Sequence, residues 1–114
     1  MMSKIRILSI DGGGIRGILP GVIMKRLEEK LQKESGDKEA RIADYFDLLA
    51  GTSTGGILSL SYLIPDKKGR PLLTAEESVN LYLDRGDEIF DVSLWQKASS
   101  LAGIADEKYS EEEL

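Results

Sequence analysis

Two glycine-rich turns, each placed directly after a short apolar run, constrain the fold of this chain more than any other feature. The run KIRILSI (4–10) leads into DGGGIRG (11–17), and the run FDLLA (46–50) leads into GTSTGG (51–56). An apolar pattern of helical character follows each turn. Two parallel strands need a crossover between them, and a helix over 18–35 supplies it. The sequence therefore predicts an α/β fold with a parallel sheet and flanking helices.

The helix predicted over 18–35 carries apolar residues at a spacing of four. Its predicted inner face consists of Leu19, Ile23, Leu27 and Leu31, with Ile18 and Val22 beside them. The stretch KRLEEKLQKE (25–34) is assigned to solvent, and Gly36 is predicted to end the helix. The run ILSLSYLI (57–64) is interpreted as a second helix, although its length is also compatible with a strand. Two shorter segments are predicted, a helical lead-in at RIADYF (41–46) and an exposed loop at PDKKGRP (65–71).

The remainder of the chain contains further helix signals. Thr74 and Glu77 form the pattern of a capping box, which predicts a helix through about Ile89. The apolar anchors assigned to this helix are Leu81, Tyr82, Ile89 and Phe90. Two more helix starts are indicated, at Ser93 before LWQKASSLAG and at SEEEL (110–114). Only two convincing strand signals appear, and both lie before this part of the chain. Because a parallel sheet usually needs more strands to be stable, the predicted sheet is incomplete.

The composition excludes several classes of protein. A chain of 114 residues, 41% of them hydrophobic, has room for one domain at most. The net charge of -5 is spread along the chain and argues against a nucleic-acid partner. Because there is no cysteine, disulfides and thiolate nucleophiles are excluded. Because there is no histidine, we expect neither a zinc site nor the usual general base of a serine nucleophile. With no signal peptide or membrane-spanning stretch apparent, a cytoplasmic protein is predicted.

The segment GTSTG (51–55) matches the G-x-S-x-G pattern of a nucleophile elbow, in its usual context between a short strand and a helix. In that geometry a sharp turn lifts the Ser53 hydroxyl clear of the sheet, and the small residues Gly51 and Gly55 allow the turn without collision. The helix that follows points its N-terminal N–H groups toward the serine. The Thr54 N–H is therefore predicted to be one donor of an oxyanion hole, although the same pattern also occurs in plain tight turns.

The first glycine loop is predicted to supply the second oxyanion donor. If the two strands are parallel neighbours, both loops emerge at the same edge of the sheet, and three consecutive glycines lie beside Ser53. These are Gly12, Gly13 and Gly14. Arg16 adds positive charge at the same place. The glycines then serve to bring backbone N–H groups close to a developing negative charge.

The same loop has a second interpretation. Gly12, Gly14 and Gly17 also spell G-x-G-x-x-G, which after a first strand is the fingerprint of a dinucleotide-binding domain. That fold needs an acidic residue about 20 positions further on, at the end of the second strand. The acidic residues at that distance, Glu34 and Asp37, fall in the predicted helix end and loop. A nucleotide-binding α/β domain is therefore kept as the weaker alternative.

Taken together, SIDGGGIRG (9–17) and DYFDLLAGTSTGG (44–56) resemble the patatin-like phospholipase family. The resemblance covers residues 5 to about 63 and implies a three-layer α/β domain, with residues 1–114 as the N-terminal portion of a single domain. It also implies a serine acyl-hydrolase that cleaves lipid acyl esters through a Ser-Asp dyad, without metal or organic cofactor.

Carried over position by position, the resemblance implies that Ser53 is the nucleophile and that the loop from Gly12 to Gly17, with Arg16, forms the oxyanion hole. The family's aspartate lies downstream of the serine in an Asp-Gly-Gly or Asp-Gly-Ala motif. Here the only Asp-Gly is Asp11-Gly12, in the oxyanion loop. We therefore expect the aspartate to lie beyond this sequence and the 114 residues alone to be a poor catalyst.

The expected partners follow from the same reasoning. The family implies an ester substrate, most simply a lipid. A transient contact with a membrane surface is a further expectation, and it has to be apolar or local because the negative net charge gives no attraction to an anionic membrane. An incomplete sheet predicts self-association or pairing with a missing C-terminal segment. The competing hypothesis from a different class is a noncatalytic fragment or pseudoenzyme that binds lipid or a partner protein.

Overall fold

The computed structural model describes residues 3–89, which form a parallel pair of strands and three α-helices. In chain order the elements are β1 (Ile7–Ile10), a 3₁₀ helix (Gly14–Gly17), α1 (Ile18–Ser35), a second 3₁₀ helix (Ile42–Asp44), β2 (Leu48–Gly51), α2 (Thr54–Ser61) and α3 (Ala75–Ile89). This arrangement confirms the predicted α/β fold with a parallel sheet and flanking helices. The helix starts predicted at Ser93 and 110–114, and the anchors Ile89 and Phe90, lie outside the described residues and side chains.

The strands pair in parallel, with Ile7 opposite Leu48 and Ile10 opposite Gly51. Both strands begin later than predicted, and the side chain of Asp47 gives the physical reason. Its Oδ2 accepts the Arg6 N–H at 2.8 Å. This carboxylate therefore replaces the backbone carbonyl that would accept the Arg6 N–H if the strand pairing continued. The register brings the loops that follow β1 and β2 to the same edge of the sheet, as predicted.

Helix α1 ends where the sequence predicts, since Gly36 takes a left-handed conformation with φ 69°. Its buried face differs from the prediction. Leu19 and Ile23 are each 66% exposed, whereas the buried positions are Gly21, Met24 and Glu28. The contact with α3 explains the change, because a Cβ at Gly21 would lie 2.8 Å from Cγ2 of Val79. The two helices meet where α1 has no side chain.

Glu28 is buried although Glu29 beside it is exposed, so the assignment of Glu28 to the solvent face was wrong. One carboxylate oxygen accepts the Ile42 N–H at 3.0 Å and the other accepts the Ala75 N–H at 2.9 Å. Ala75 is the first residue of α3, where a negative charge is favoured by the helix dipole. We call Glu28 with these two N–H groups the Glu28 anchor. It joins α1, the second 3₁₀ helix and the start of α3.

Helix α2 lies against the sheet and confirms that residues 57–61 of the predicted run are helical, whereas residues 62–64 follow the end of the helix at Ser61. Leu58 is fully buried, and the Ser59 hydroxyl donates to the Ala50 carbonyl at 3.3 Å. The buried hydrophobic residues of the described part are Ile10, Met24, Ala40, Ile42, Leu58, Tyr62, Ala75, Val79 and Tyr82. Tyr82 is therefore an anchor of α3, as predicted, but Leu81 is 43% exposed and the prediction for it was wrong.

The segment 65–71 is an exposed turn, as predicted, and it is held in place by charged side chains. Asp66 Oδ1 accepts the N–H groups of Lys68 and Arg70, at 2.7 and 3.0 Å. The Arg70 guanidinium reaches Asp44 with two hydrogen bonds of 2.6 and 2.8 Å. This hydrogen-bonded pair holds the pKa of Asp44 below its ordinary value. The turn is thereby fastened to the second 3₁₀ helix.

The chain divides into two compact units at Arg85, where α3 has non-helical backbone angles (φ -125°, ψ 15°). The first unit, up to Asp84, contains both strands. It also contains the predicted capping box, in which Thr74 Oγ1 accepts the Glu77 N–H at 3.1 Å. The described part of the second unit is Arg85–Ile89. Within the described residues, no helix combines the length and apolar character needed to cross a membrane.

Candidate active site

Ser53 occupies the turn between β2 and α2 in a strained backbone conformation. Its φ is 51° and its ψ is -122°, and it is the one non-glycine residue with positive φ in the described part of the chain. L-residues avoid this region because of steric contact with the backbone, so a serine held there needs support from its surroundings. The side chain is exposed. The turn thus presents a hydroxyl to solvent at the edge of the sheet.

Two close backbone approaches provide that support. A Cβ at Gly51 would lie 2.3 Å from the carbonyl carbon of Gly55, and a Cβ at Gly55 would lie 2.0 Å from the carbonyl oxygen of Ile10. Neither distance leaves room for a side chain, because the nearest atoms are backbone atoms that cannot rotate away. The sequence folds into this turn because both flanking positions are glycine.

The first glycine loop lies directly against the Ser53 turn. A Cβ at Gly12 would lie 2.5 Å from the Thr52 carbonyl oxygen and 2.8 Å from the Cβ of Ser53. The Gly12 N–H donates to Oγ1 of Thr52 at 3.0 Å. This N–H is therefore engaged by a neighbour. We call the turn 51–55 together with the loop 12–14 the elbow edge.

The other residues predicted for this loop have different surroundings. Gly14 has a left-handed φ of 59°, which favours glycine, and the Arg16 N–H donates to the Gly13 carbonyl at 3.1 Å to open the first 3₁₀ helix. The Arg16 side chain is exposed beside Gly13. Gly17, in contrast, is buried, and a Cβ there would lie 3.1 Å from Oγ1 of Thr54. Gly17 therefore packs against the elbow from inside the protein.

Thr54 is the first residue of α2, so its N–H has no partner within the helix. Its side chain is buried, and Oγ1 has no hydrogen-bond partner within residues 3–89. The Tyr82 hydroxyl donates to the Thr54 carbonyl. A tyrosine hydroxyl is protonated at neutral pH and can donate, and burial raises the pKa of Tyr82 further above that range. A hydroxyl from α3 thus reaches the residue after Ser53, which the sequence pattern did not indicate.

An apolar groove with a volume of about 330 Å³ runs between β1 and the first turns of α1. Its apolar lining includes Leu8, Ile10, Leu19, Ile23 and Met24. At one end it is lined by Asp11, Gly12 and Arg16. Leu19 and Ile23, the exposed residues of α1, are therefore part of a groove that reaches the elbow edge.

The geometry bears on cofactor binding as well. No group of three or more potential metal-ligating side chains is found among the described residues. The dinucleotide interpretation requires an acidic residue at the end of the second strand. In the structure β2 ends at Gly51 and is followed by Thr52 and Ser53. Chemically, the elbow edge can offer an exposed hydroxyl together with backbone N–H groups of the helix start and the glycine loop.

Comparison with known proteins places these features in context. Residues 8–114 match the model of the family described as patatin-like phospholipase. Patatin-like protein 4 of Arabidopsis thaliana is 46% identical over 110 residues, which is 96% of this chain and 27% of that protein. Patatin-like protein 2 of the same plant is 55% identical over 86 residues, 75% of this chain and 21% of that protein. Patatin group M-3 of Solanum tuberosum is 44% identical over 105 residues, which is 92% of this chain and 26% of that protein. The chain spans about a quarter of the length of these relatives.

Proposed function

Since this chain belongs to the patatin-like phospholipase family, we propose that it is the N-terminal portion of a serine acyl-hydrolase domain that cleaves lipid acyl esters. The observation that carries the proposal is the conformation of Ser53, which is held at φ 51° with the glycine loop against it. Strain of this kind persists where the surrounding structure enforces it, and it is concentrated at functional sites. Ser53 is the proposed nucleophile.

The oxyanion hole is proposed to combine N–H groups from both loops. Thr54 contributes the N–H at the start of α2, where the helix dipole favours negative charge. Gly13 and Gly14 contribute the N–H groups of the loop. Gly12 has another role, because its N–H is bound to Thr52. Arg16, exposed beside Gly13, adds a positive charge to the same edge.

The general base of the proposed mechanism is an aspartate that forms a dyad with Ser53. It is expected downstream, in the part of the relatives that this chain does not span. The Ser53 Oγ attacks the ester carbonyl carbon while its proton passes to the aspartate carboxylate. The C–O bond to the alcohol then breaks, and the alcohol leaves with that proton. Water releases the acyl group by the same sequence in reverse. Without the aspartate, the serine stays a weak nucleophile.

The substrate class is proposed from the family and from the groove along β1. An ester with an apolar acyl part can lie along Leu19 and Ile23 while its carbonyl reaches the elbow edge. Burial of apolar surface then contributes to binding in proportion to the area removed from water. A noncatalytic lipid-binding role is the second candidate, because it uses the same groove without requiring a reactive serine.

The test is labelling with a fluorophosphonate, which forms a covalent adduct only with an activated serine. The full-length gene product, its Ser53→Ala variant and the control Ser35→Ala are treated with the probe, and the adduct is located by mass spectrometry. We expect one adduct on Ser53, unchanged in Ser35→Ala and absent from Ser53→Ala. A folded full-length protein that acquires no adduct would overturn the hydrolase proposal and favour the noncatalytic role.

A further inference from the structure

Thr52 is joined by hydrogen bonds to the end of β1, to the start of α2 and to the glycine loop. Its N–H donates to the Ile10 carbonyl at 3.2 Å, and its carbonyl accepts the Gly55 N–H at 2.9 Å. Its hydroxyl accepts the Gly12 N–H at 3.0 Å. The backbone of Thr52 thus continues the pairing with β1 and supports the start of α2, while its side chain holds the glycine loop.

The bond to Gly12 has a geometric consequence for the next residue in the loop. A peptide group is planar, so a hydrogen bond that directs the Gly12 N–H restrains the orientation of the whole peptide group between Asp11 and Gly12. Only the φ and ψ of Gly12 then separate this plane from the Gly13 N–H. Gly12 is also confined, since its Cα faces the Thr52 carbonyl and the Cβ of Ser53 at distances that admit no side chain.

We propose that Thr52 is a positioning residue, whose hydroxyl sets the oxyanion loop in register with Ser53 through the Gly12 N–H. This inference rests on the proposed function. Thr52 does not touch the reacting atoms. Its effect is exerted on the placement of the Gly13 and Gly14 N–H groups before any substrate arrives, and misplacement by a fraction of an ångström weakens stabilisation that acts mainly in the transition state.

The experiment compares Thr52→Val, which removes the hydroxyl and keeps the branched shape, with Thr52→Ser, which keeps the hydroxyl. Thr74→Val is the matched control, because it removes a hydroxyl that caps α3. In the full-length gene product, the rate constant of fluorophosphonate labelling and the kcat and KM for a p-nitrophenyl ester are measured. We expect Thr52→Val to lose about tenfold in labelling rate and kcat with unchanged KM, and Thr52→Ser to stay within about threefold of the parent.

The outcomes separate this proposal from the proposed function. Thr52→Val labelled at the parental rate, with Ser53→Ala unlabelled, would overturn the role of Thr52 alone. Thr52→Ser as slow as Thr52→Val would do the same, because the hydroxyl would then not be the cause. Absence of labelling in the folded parent overturns both proposals. Thr74→Val is expected to lower the melting temperature without slowing the labelling, which distinguishes positioning from stability.

A second measurement keeps the proposal testable if Thr52→Val does not fold. Hydrogen exchange of the Gly12 amide is followed in the parent and in Thr52→Ser. Protection of that amide in both proteins is the expected result, because both retain the hydroxyl acceptor. Exchange at the rate of a free exposed amide in the folded parent would show that the bond is not formed and would overturn the proposal.

Discussion

The elbow edge and the Glu28 anchor both bring distant parts of the chain together, but by opposite means. At the elbow edge, side chains are removed: Gly51, Gly55 and Gly12 allow backbones to approach to distances that exclude a Cβ. At the Glu28 anchor a single side chain, only 4% exposed, accepts the N–H groups of Ile42 and Ala75. The structure of the elbow edge depends on the absence of side chains, whereas that of the Glu28 anchor depends on hydrogen bonds to a buried carboxylate.

The difference teaches which substitutions each region tolerates. Where glycines create close backbone contact, any added carbon atom meets an atom that cannot move, whatever its polarity. Where one carboxylate serves two buried donors, size matters less than the number of acceptor oxygens. The elbow edge should therefore respond to volume and the Glu28 anchor to hydrogen-bonding capacity.

The largest loss of stability is expected from Gly55→Ala. Helix propensity alone favours alanine within α2 by about 1 kcal/mol. The contact of its Cβ with the Ile10 carbonyl, at 2.0 Å, forces β1 and α2 apart, so we expect a net loss of about 3 kcal/mol of unfolding free energy. Urea denaturation measures the change.

Gly13→Ala is the control for this prediction. A Cβ at Gly13 would lie 3.4 Å from Cβ of Arg16, an ordinary contact, and should change the unfolding free energy by no more than about 0.5 kcal/mol. If both substitutions gave equally small losses, steric space would not be what specifies the elbow edge.

A smaller effect is expected from Glu28→Gln. The amide has one acceptor oxygen, so one of the two buried N–H groups loses its partner, at a cost of about 2 kcal/mol. The control is Glu29→Gln, an exposed position whose ion pair with Arg26 spans 3.4 Å and whose loss should stay within about 0.5 kcal/mol. Denaturation and fluorophosphonate labelling are measured on the same samples.

Labelling of Ser53 per folded molecule should stay unchanged in Glu28→Gln, because the Glu28 anchor does not touch the elbow edge. Equal stability of the two glutamine variants would show that the buried carboxylate does not hold both N–H groups. Slower labelling in Glu28→Gln would show instead that the two regions are coupled.

The smallest expected change in stability comes from removing the hydroxyl of a buried tyrosine, and it should differ between Tyr82 and Tyr62. Tyr82→Phe removes the donor to the Thr54 carbonyl and should cost about 1 kcal/mol. The Tyr62 hydroxyl is buried without a hydrogen-bond partner among residues 3–89, so Tyr62→Phe should be neutral or slightly stabilising at neutral pH. Thermal denaturation at pH 7 compares them. A loss in Tyr62→Phe as large as that in Tyr82→Phe would contradict this assignment.

Tyr62 also predicts a pH dependence. Burial, and the nearby charge of Glu28, raise the pKa of Tyr62. A hydroxyl with a raised pKa in the folded state contributes stability that is fully present below its unfolded pKa of about 10 and is lost as the pH rises above that value. The parent should therefore lose stability progressively as the pH rises above about 10, and Tyr62→Phe should lose less over the same range.

The two regions also differ in how far sequence alone predicts them. The pairing of the strands, the helices α1 and α2, the capping box of Thr74 and the proximity of both glycine loops followed from local patterns. Glycine spacing and capping residues act over a few positions, so their signals are readable in a single sequence. The roles of Ser53 and the oxyanion residues remain predictions.

Burial of Glu28 could not be predicted, because it depends on contacts far apart in the chain. Ala75 follows Glu28 by 47 positions, and a glutamate within KRLEEKLQKE is by pattern a solvent-facing residue. The exposure of Leu19 and Ile23 was missed for a related reason. Periodicity identifies an apolar stripe but not the neighbour that covers it, and α1 meets α3 on its Gly21 side.

The Ile10 carbonyl oxygen, finally, is shared by the parts that define the elbow edge. It accepts the Thr52 N–H at 3.2 Å, and the Cα of Gly55 packs against it. Segments fastened to one atom move together, so thermal fluctuation changes the distance between Ser53 and Gly12 less than it changes their distances to remote groups. Any movement that accompanies binding of the proposed ester substrate is therefore expected in segments that do not touch this oxygen, with the spacing of the two loops unchanged.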